Sequence, residues 1–280
     1  MKKIQSIQRV TLISVFLLIQ SSFAGGIGDL PWRVVIPKKG EIVNTYNANS
    51  TAEVSNTFKV LVWNLYKGDN PDFEAKVFDE AGKYDIEIFQ EVTDKKTFDP
   101  ILHDKDYNSI MANSFIYNEG IKAGVATRSK FNRTYVHGYH PVGREPMVKT
   151  PKAALITNYR IENSEQTLMV VNIHAINFVL IDVFANFMKD IYHQVKDHKG
   201  PMIFAGDFNT WAPNRNWFLQ KIAKKLNLKF SKYDLDVRKK FFGYELDHIL
   251  YRGLKLNWAT SIESLASDHN PLMASFSLLK

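Results

Sequence analysis

Between residues 168 and 226 the apolar residues switch three times between two periods, and that switching commits the chain to a fold that layers helices on strands. Leu168 to Ile173 is a short apolar run of strand type. Val183, Phe184, Phe187, Met188, Ile191 and Val195 then recur at three-to-four spacing, as one face of a helix does, and the pattern stops at Gly200. Pro201 to Ala205 returns to strand type, and Phe218, Ile222, Ala223 and Leu226 return to the helical spacing. Strand, helix, strand, helix in this order belongs to α/β proteins. Before it, Phe58 to Trp63, Asp85 to Phe89, Ala123 to Thr127 and Ala153 to Thr157 read as strands, with Phe73, Val77, Phe78 and Ala81 as a helix face. Tyr107 to Lys122 reads as irregular connection, and Ile249 to Tyr251 and Leu272 to Phe276 close the chain as strands. Two mixed sheets of this size bury apolar faces against each other.

The first 57 residues lack this texture. Met1 to Arg9 carries positive charge, Val10 to Ile19 is apolar without interruption, and Ser22-Phe23-Ala24 ends in small residues, so 1–24 reads as a signal peptide. Its apolar run is about half of the roughly 20 residues that a membrane-spanning helix needs. The mature protein is expected to begin near Gly25, outside the cytoplasm, either secreted or periplasmic. Residues 25–57, poor in apolar period and rich in Asn, Thr and Ser from Asn44 to Asn56, read as a surface arm or linker, and 58–280 as one domain. The formal charge is +7, but Lys2, Lys3 and Arg9 lie in the export segment, which weakens the hint of a polyanionic partner. No cysteine is present, so disulfides, thiolate metal sites and cysteine nucleophiles are excluded.

Polar residues stand where the apolar runs stop. Trp63-Asn64 ends the first strand, Gln90-Glu91 the second, and Asn172-Ile173-His174 the fifth. Gly206-Asp207-Phe208-Asn209 ends the sixth, Asp247-His248 opens a later one, and Ser267-Asp268-His269-Asn270-Pro271 precedes the last. Residues two apart on a strand leave on the same side, which puts Asp207 and Asn209 together with Phe208 packed the other way. Such a pair can hold and polarise a water or bind a phosphate. Any one of these groups is commonly a cap or turn. Six in series are a different matter.

The series Asn, Glu, His, Asp-x-Asn, Asp, Asp-His resembles the endonuclease/exonuclease/phosphatase superfamily from about Phe58 to the end of the chain. Within it the chain is most similar to the YafD-like group, through Leu61 to Lys67, Gln90-Glu91-Val92, Arg144-Glu145-Pro146, Pro151 to Leu155, Val170 to Phe178, Ala205 to Trp211, Tyr251 to Leu254 and Ala266 to Leu272. The resemblance implies a four-layer α/β sandwich, two packed mixed β-sheets flanked by helices, with a shallow site at one edge. It implies Glu91 as principal Mg²⁺ ligand, Asn64 beside it and Asp268 as a further ligand, with Mn²⁺ or Ca²⁺ as substitutes. It implies that Asp207 and Asn209 position the attacking water, that His269, oriented by Asp247, is base or phosphate-binding imidazole, and that His174 binds the scissile phosphate. Lys152 reaches for the phosphate or is an ion-paired surface group; the same two readings hold for Arg144, and Asn177 joins them as a substrate-binding candidate. One departure is Tyr66, where several nucleases carry an acidic residue two positions after the asparagine.

Mg²⁺ keeps several waters and takes few carboxylates, so a single glutamate with helpers suffices. The favoured reading is a Mg²⁺-dependent phosphodiester hydrolase, a monomer without a protein partner, acting on nucleic acid and foremost on DNA. The alternatives are a sphingomyelinase-like phospholipase that takes a phospholipid head group, a phosphoinositide or phosphomonoester phosphatase, and, last, a binding protein without turnover. Arg238-Lys239-Lys240-Phe241-Phe242 sets cations beside aromatics and suits a nucleic acid, a lipid interface or an ordinary solvated loop. His103, His137, His140, His193 and His198 fall outside the series, and strand alternation turns His248 away from Asp247.

Overall fold

Alternation within single strands assigns the layers. In the strand Thr57–Asn64, Phe58, Val60 and Val62 enter one apolar cluster while Leu61 and Trp63 enter another. In Met202–Asp207, Ile203 and Ala205 join the first of these clusters, and Met202 and Phe204 a third. The shared cluster is the layer between two sheets, and the other two lie on their outer faces. The computed structural model describes residues 34–48, 50–146 and 149–279. The expected export segment lies outside them.

The first sheet has eight strands. Thr57–Asn64 is central, parallel to Ile86–Thr93 and antiparallel to Leu272–Leu278. Lys122–Ser129 and then Asn108–Tyr117 continue the sheet on one side, and Leu254–Ser261 closes it on the other. The second sheet has six strands in the order Lys229–Phe230, Asp247–Arg252, Met202–Asp207, Thr167–His174, Ala154–Arg160, Arg133–Tyr139. Met202–Asp207 runs parallel to Thr167–His174 because the helix Ile181–Val195 crosses over between them. That helix and Pro213–Leu226 cover the outer face with Phe184, Phe187, Met188, Phe218 and Ile222. On the outer face of the first sheet the cover is thinner: the turns Phe73–Lys76, Val77–Asp79 and Asp99–Leu102 bury Phe73, Val77 and Ile101. This is the mixed four-layer sandwich expected. No described helix is long and apolar enough to cross a membrane.

Three local expectations are corrected. Residues 25–57, expected as an arm, belong from Val34 onward to the folded unit. Val34–Val35 and Val43–Thr45 pair with Asn108–Tyr117, and Val54 is fully buried. Strands of two or three residues show no period to read. Tyr107 to Lys122 is mostly the strand Asn108–Tyr117, and the helix expected over Phe73 to Ala81 is a four-residue turn running into a 3-10 turn, with Phe78 exposed.

Candidate active site

The inward-facing positions of both sheets are apolar through the core and turn polar at one end. Beyond Val62 on the same face comes Asn64, and beyond Ala205 comes Asp207. Beyond Val170 come Asn172 and His174, and before Ile249 stands Asp247. The register brings them together: Asp207 lies opposite His174 on one side and opposite Asp247 on the other. Below them Asn172 and Gln90 bond to each other across the sheets at 2.8 Å, and Asn172 also donates to Phe89 and Ala126 carbonyls.

Glu91 reaches this group only through a bulge. Phe89 and Val92 both face the outer cluster, although they are three apart, and the pairing to Lys122–Ser129 shifts between them. The extra residue sits at φ 51, the left-handed region, and its carboxylate turns to the polar end. Its strand does not end there but continues to Thr93. Asn209 is placed by a similar device: the strand stops at Asp207, and φ 49 at Asn209 folds its backbone N–H onto Asp207 Oδ1 at 2.9 Å. Its amide donates to Ala175 O (2.9 Å) and Asp207 Oδ2 (3.3 Å). Gly206 permits the close approach, since a Cβ there would meet Ile173 O at 2.0 Å.

Asp207 is the meeting point. Asn64 donates to its Oδ2 at 3.2 Å, and His174 Nε2 lies 3.4 Å from the same oxygen and 3.8 Å from Glu91 Oε1. His269 Nδ1 is 2.7 Å from Asp247 Oδ2, as expected, and both are buried. His269 is held in turn by its own carbonyl, which accepts from Trp63 Nε1, and by its N–H, which donates to Ser267 Oγ. Burial opposes charge on His269, but the charge of Asp247 and the hydrogen bond to it outweigh burial and push the pKa up to about 10. Burial and then the charge of Asp247 raise Asp207. Burial and the nearby Lys152 push His174 well below its ordinary value, so that it is neutral. Glu91 goes the other way: burial favours its proton, yet the charges of Lys67 and Lys152 hold it well below the usual carboxylate range.

The remaining candidates divide. Lys152 Nζ is 3.7 Å from Glu91 Oε1 and 3.7 Å from Glu145 Oε2, so it is ion-paired and within the site. Asn177 borders it, its N–H donating to Glu145 Oε1 and its side-chain oxygen accepting from Trp211 Nε1. Arg144 is not brought in; its guanidinium bonds back to Pro141 O. Asp268 follows the cluster's edge, 43% exposed and 3.8 Å from Lys239. His248 faces away, its Nε2 on Thr210 and its Nδ1 on Arg238. Two members went unassigned in the sequence, Lys67 and Glu145, although both lie in the stretches quoted for the resemblance. Lys67 Nζ is 3.4 Å from Glu91 Oε2. The run Arg238 to Phe242 is partly a hairpin, Lys240–Phe241 against Tyr244–Glu245, with Phe242 at its exposed tip.

Two groups suit a divalent cation. Asp207, Asp247 and His269 offer atoms within 4.8 Å of one another, but His269 and Asp247 spend theirs on each other. Glu91 is ionised, with the ammonium groups of Lys67 and Lys152 at 3.4 and 3.7 Å from its oxygens; Asn64 pairs with the residue before it on the neighbouring strand, and His174 stands between Glu91 and Asp207, 3.8 and 3.4 Å away. An all-oxygen set with one or two carboxylates fits a hard ion such as Mg²⁺.

A family model described as "Endonuclease/Exonuclease/phosphatase family" matches residues 45–269. A "UPF0294 protein" of Vibrio campbellii is 31% identical over 288 residues, covering 97% of this chain and 98% of that protein. One of Erwinia tasmaniensis is 35% identical over 222 residues, covering 78% and 80%. Among solved structures, an endonuclease/exonuclease/phosphatase from Bacteroides vulgatus superposes with a TM-score of 0.63 at 17% identity, over 80% of this chain and 99% of that one.

Proposed function

Since the chain belongs to the endonuclease/exonuclease/phosphatase family and is a hydrolase of that superfamily, we propose that it cleaves phosphodiester bonds with the help of a divalent cation, with nucleic acid as the substrate. The observation that carries this reading is the convergence on Asp207 of Asn64, Asn209 and His174, beside the bonded pair Asp247 and His269. Glu91, with Asn64 next to it, would hold the cation, which supplies positive charge against a phosphate oxygen. His174, neutral, donates a hydrogen bond to a non-bridging oxygen. Asp207, whose pKa burial and Asp247 raise, accepts a proton from the attacking water as the water oxygen bonds to phosphorus. His269, kept protonated by Asp247, gives a proton to the leaving oxygen as its bond to phosphorus breaks. The charged state of His269 favours the acid and phosphate-binding role over that of base. Asn209 orients the water through the same carboxylate that it holds.

The test is turnover of bis(p-nitrophenyl) phosphate with and without Mg²⁺, beside p-nitrophenyl phosphate, supercoiled plasmid and sphingomyelin vesicles. Diester turnover and plasmid nicking, both lost with EDTA, are expected. Turnover of the monoester alone, or of sphingomyelin alone, refutes the nucleic-acid reading. The same reading has the enzyme act after export, and N-terminal sequencing of protein recovered from periplasm or medium should begin near Gly25; an intact Met1 there refutes it.

A further inference from the structure

Glu91 is the carboxylate best placed for a divalent cation, yet two ammonium groups already share it. On the Oε1 side lie Lys152 at 3.7 Å and His174 at 3.8 Å; on the Oε2 side lies Lys67 at 3.4 Å. Lys152 divides its charge with Glu145. Lys67, among the ion pairs of the described residues, is paired with Glu91 alone.

The backbone holds Lys67 in that position deliberately. Tyr66 and Lys67 are consecutive left-handed residues, φ 48 and 55, a conformation that side chains other than those of Gly and Asn adopt at a cost. The strain is maintained by three bonds: Tyr66 N–H to Asn64 Oδ1 (3.1 Å), Gly68 N–H to Leu65 O (2.9 Å) and Asp69 N–H to Tyr66 O (2.9 Å). Gly68 is pressed against Phe73 and Phe98, where even a Cβ would come to 3.0 Å of a ring carbon. A lysine that had merely found a carboxylate across a flexible loop would need none of this. The turn, bonded at these three points, starts from Asn64 and returns the ammonium to 3.4 Å from Glu91 Oε2, with the side chain 30% exposed.

A second divalent ion on the Oε2 side of Glu91 would stand against this ammonium, charge against like charge. We propose that Lys67 takes the place of a second metal ion: the protein works with one divalent cation at Glu91, and the Lys67 ammonium is the other cation facing the substrate phosphate. The inference rests on the metal-assisted reading above and adds a substrate-binding residue to it. When the single cation is bound, Glu91 no longer needs Lys67, and the ammonium, held by the turn, is left to pair with a phosphate oxygen.

The test is calorimetric titration of Mn²⁺ into the full chain and into Lys67→Met and Lys67→Arg, followed by kinetics on bis(p-nitrophenyl) phosphate. Wild type and Lys67→Arg should each take one ion per chain. Lys67→Met should also take one, bound about tenfold more tightly because the competing charge is gone, while its KM rises. Lys67→Arg keeps the charge and should not show the tighter Mn²⁺ binding of Lys67→Met. Two ions bound by wild type overturn the inference and leave the hydrolase reading standing; so does a Lys67→Met protein unchanged in both Mn²⁺ affinity and KM. Absence of any Mn²⁺ binding by wild type overturns the metal-assisted reading itself, and the inference with it.

Discussion

Asp207 and Asp247 are cross-strand partners, buried side by side, but Asp247 is hydrogen-bonded to the His269 imidazole at 2.7 Å while the His174 imidazole stands 3.4 Å from Asp207. The asymmetry gives the two carboxylates different chemistry. Asp247 spends its charge on His269, while Asp207, raised by burial and by Asp247 itself, is the one free to take up a proton.

Asp247→Asn should therefore remove the support for a charged His269 and leave the ring misoriented. A rate loss of about 10²-fold or more is expected, the usual contribution of a positioned acid or base. Combining it with His269→Ala should cost little more than His269→Ala alone, because residues that act as a unit are not additive. Losses that multiply would mean that Asp247 acts on metal or substrate independently of the histidine. Single-turnover rates of the four proteins on one diester substrate decide it.

Glu91→Gln should weaken Mg²⁺ binding, and it should also lower stability without metal. The structure supplies the second expectation: neutralising Glu91 leaves Lys67 and Lys152 facing each other across a partly buried amide. A loss of about 1–3 kcal/mol is expected, reduced because both ammonium groups retain some access to water. Urea denaturation in EDTA measures it, and the rise in Tm that Mg²⁺ should give the wild type is expected to vanish.

Much of this site could be read from the sequence because it obeys a period of two. Asn64, His174, Asp207 and Asp247 each continue the inward face of a strand whose apolar residues declare which face that is. Glu91 breaks the rule, since alternation from Ile86 and Ile88 sends Gln90 inward and Glu91 outward; only the bulge reverses it. Lys67 was invisible for a related reason: nothing in its residue type reveals two successive left-handed residues. The strand Asn108–Tyr117 was hidden by its own polar residues. Asn108 accepts from Ser50 N–H and donates to Phe131 O, and Asn113 donates to Glu41 O, so these side chains are satisfied by segments far away in sequence. A reading of local hydropathy sees them as loop.

Arg215 tests how the Asn209 turn is held. It is buried, with Nη1 donating to Ile176 O at 2.9 Å and Asn209 O at 3.2 Å, Nη2 to Val179 O at 3.3 Å, and its guanidinium over the rings of Phe184 and Trp211. A lysine keeps the charge but has neither the planar face nor the fork. Arg215→Lys should cost about 2–3 kcal/mol in urea denaturation and lower the rate more than it changes Mg²⁺ affinity. Wild-type kinetics in a destabilised protein would show that Asn209 is held without it.

The last expectation concerns pH, and two histidines set its limits in opposite directions. His248 is buried, and burial together with Arg238 pushes its pKa down to about 3. Thr210 Oγ1 donates to Glu245 O at 2.6 Å, so it accepts from His248 Nε2–H, which leaves Nδ1 as the acceptor from Arg238 at 3.1 Å. A second proton on this ring would put N–H against N–H. Unfolded, the same histidine titrates at about 6.5. Between about 6.5 and 3 the unfolded chain thus binds the extra proton, and stability falls as pH falls through that window. His269 has the reverse sign: raised to about 10, it contributes stability that is complete below about 6.5 and is lost as pH rises toward 10. Stability measured by urea denaturation across pH should peak near neutrality. His248→Gln, whose amide can serve both neighbours without titrating, should flatten the acid limb and leave the alkaline limb in place. His269→Gln should do the converse. If His248→Gln leaves the acid limb as steep as in wild type, the buried carboxylates and His174, whose pKa burial also lowers, are responsible for it and not His248.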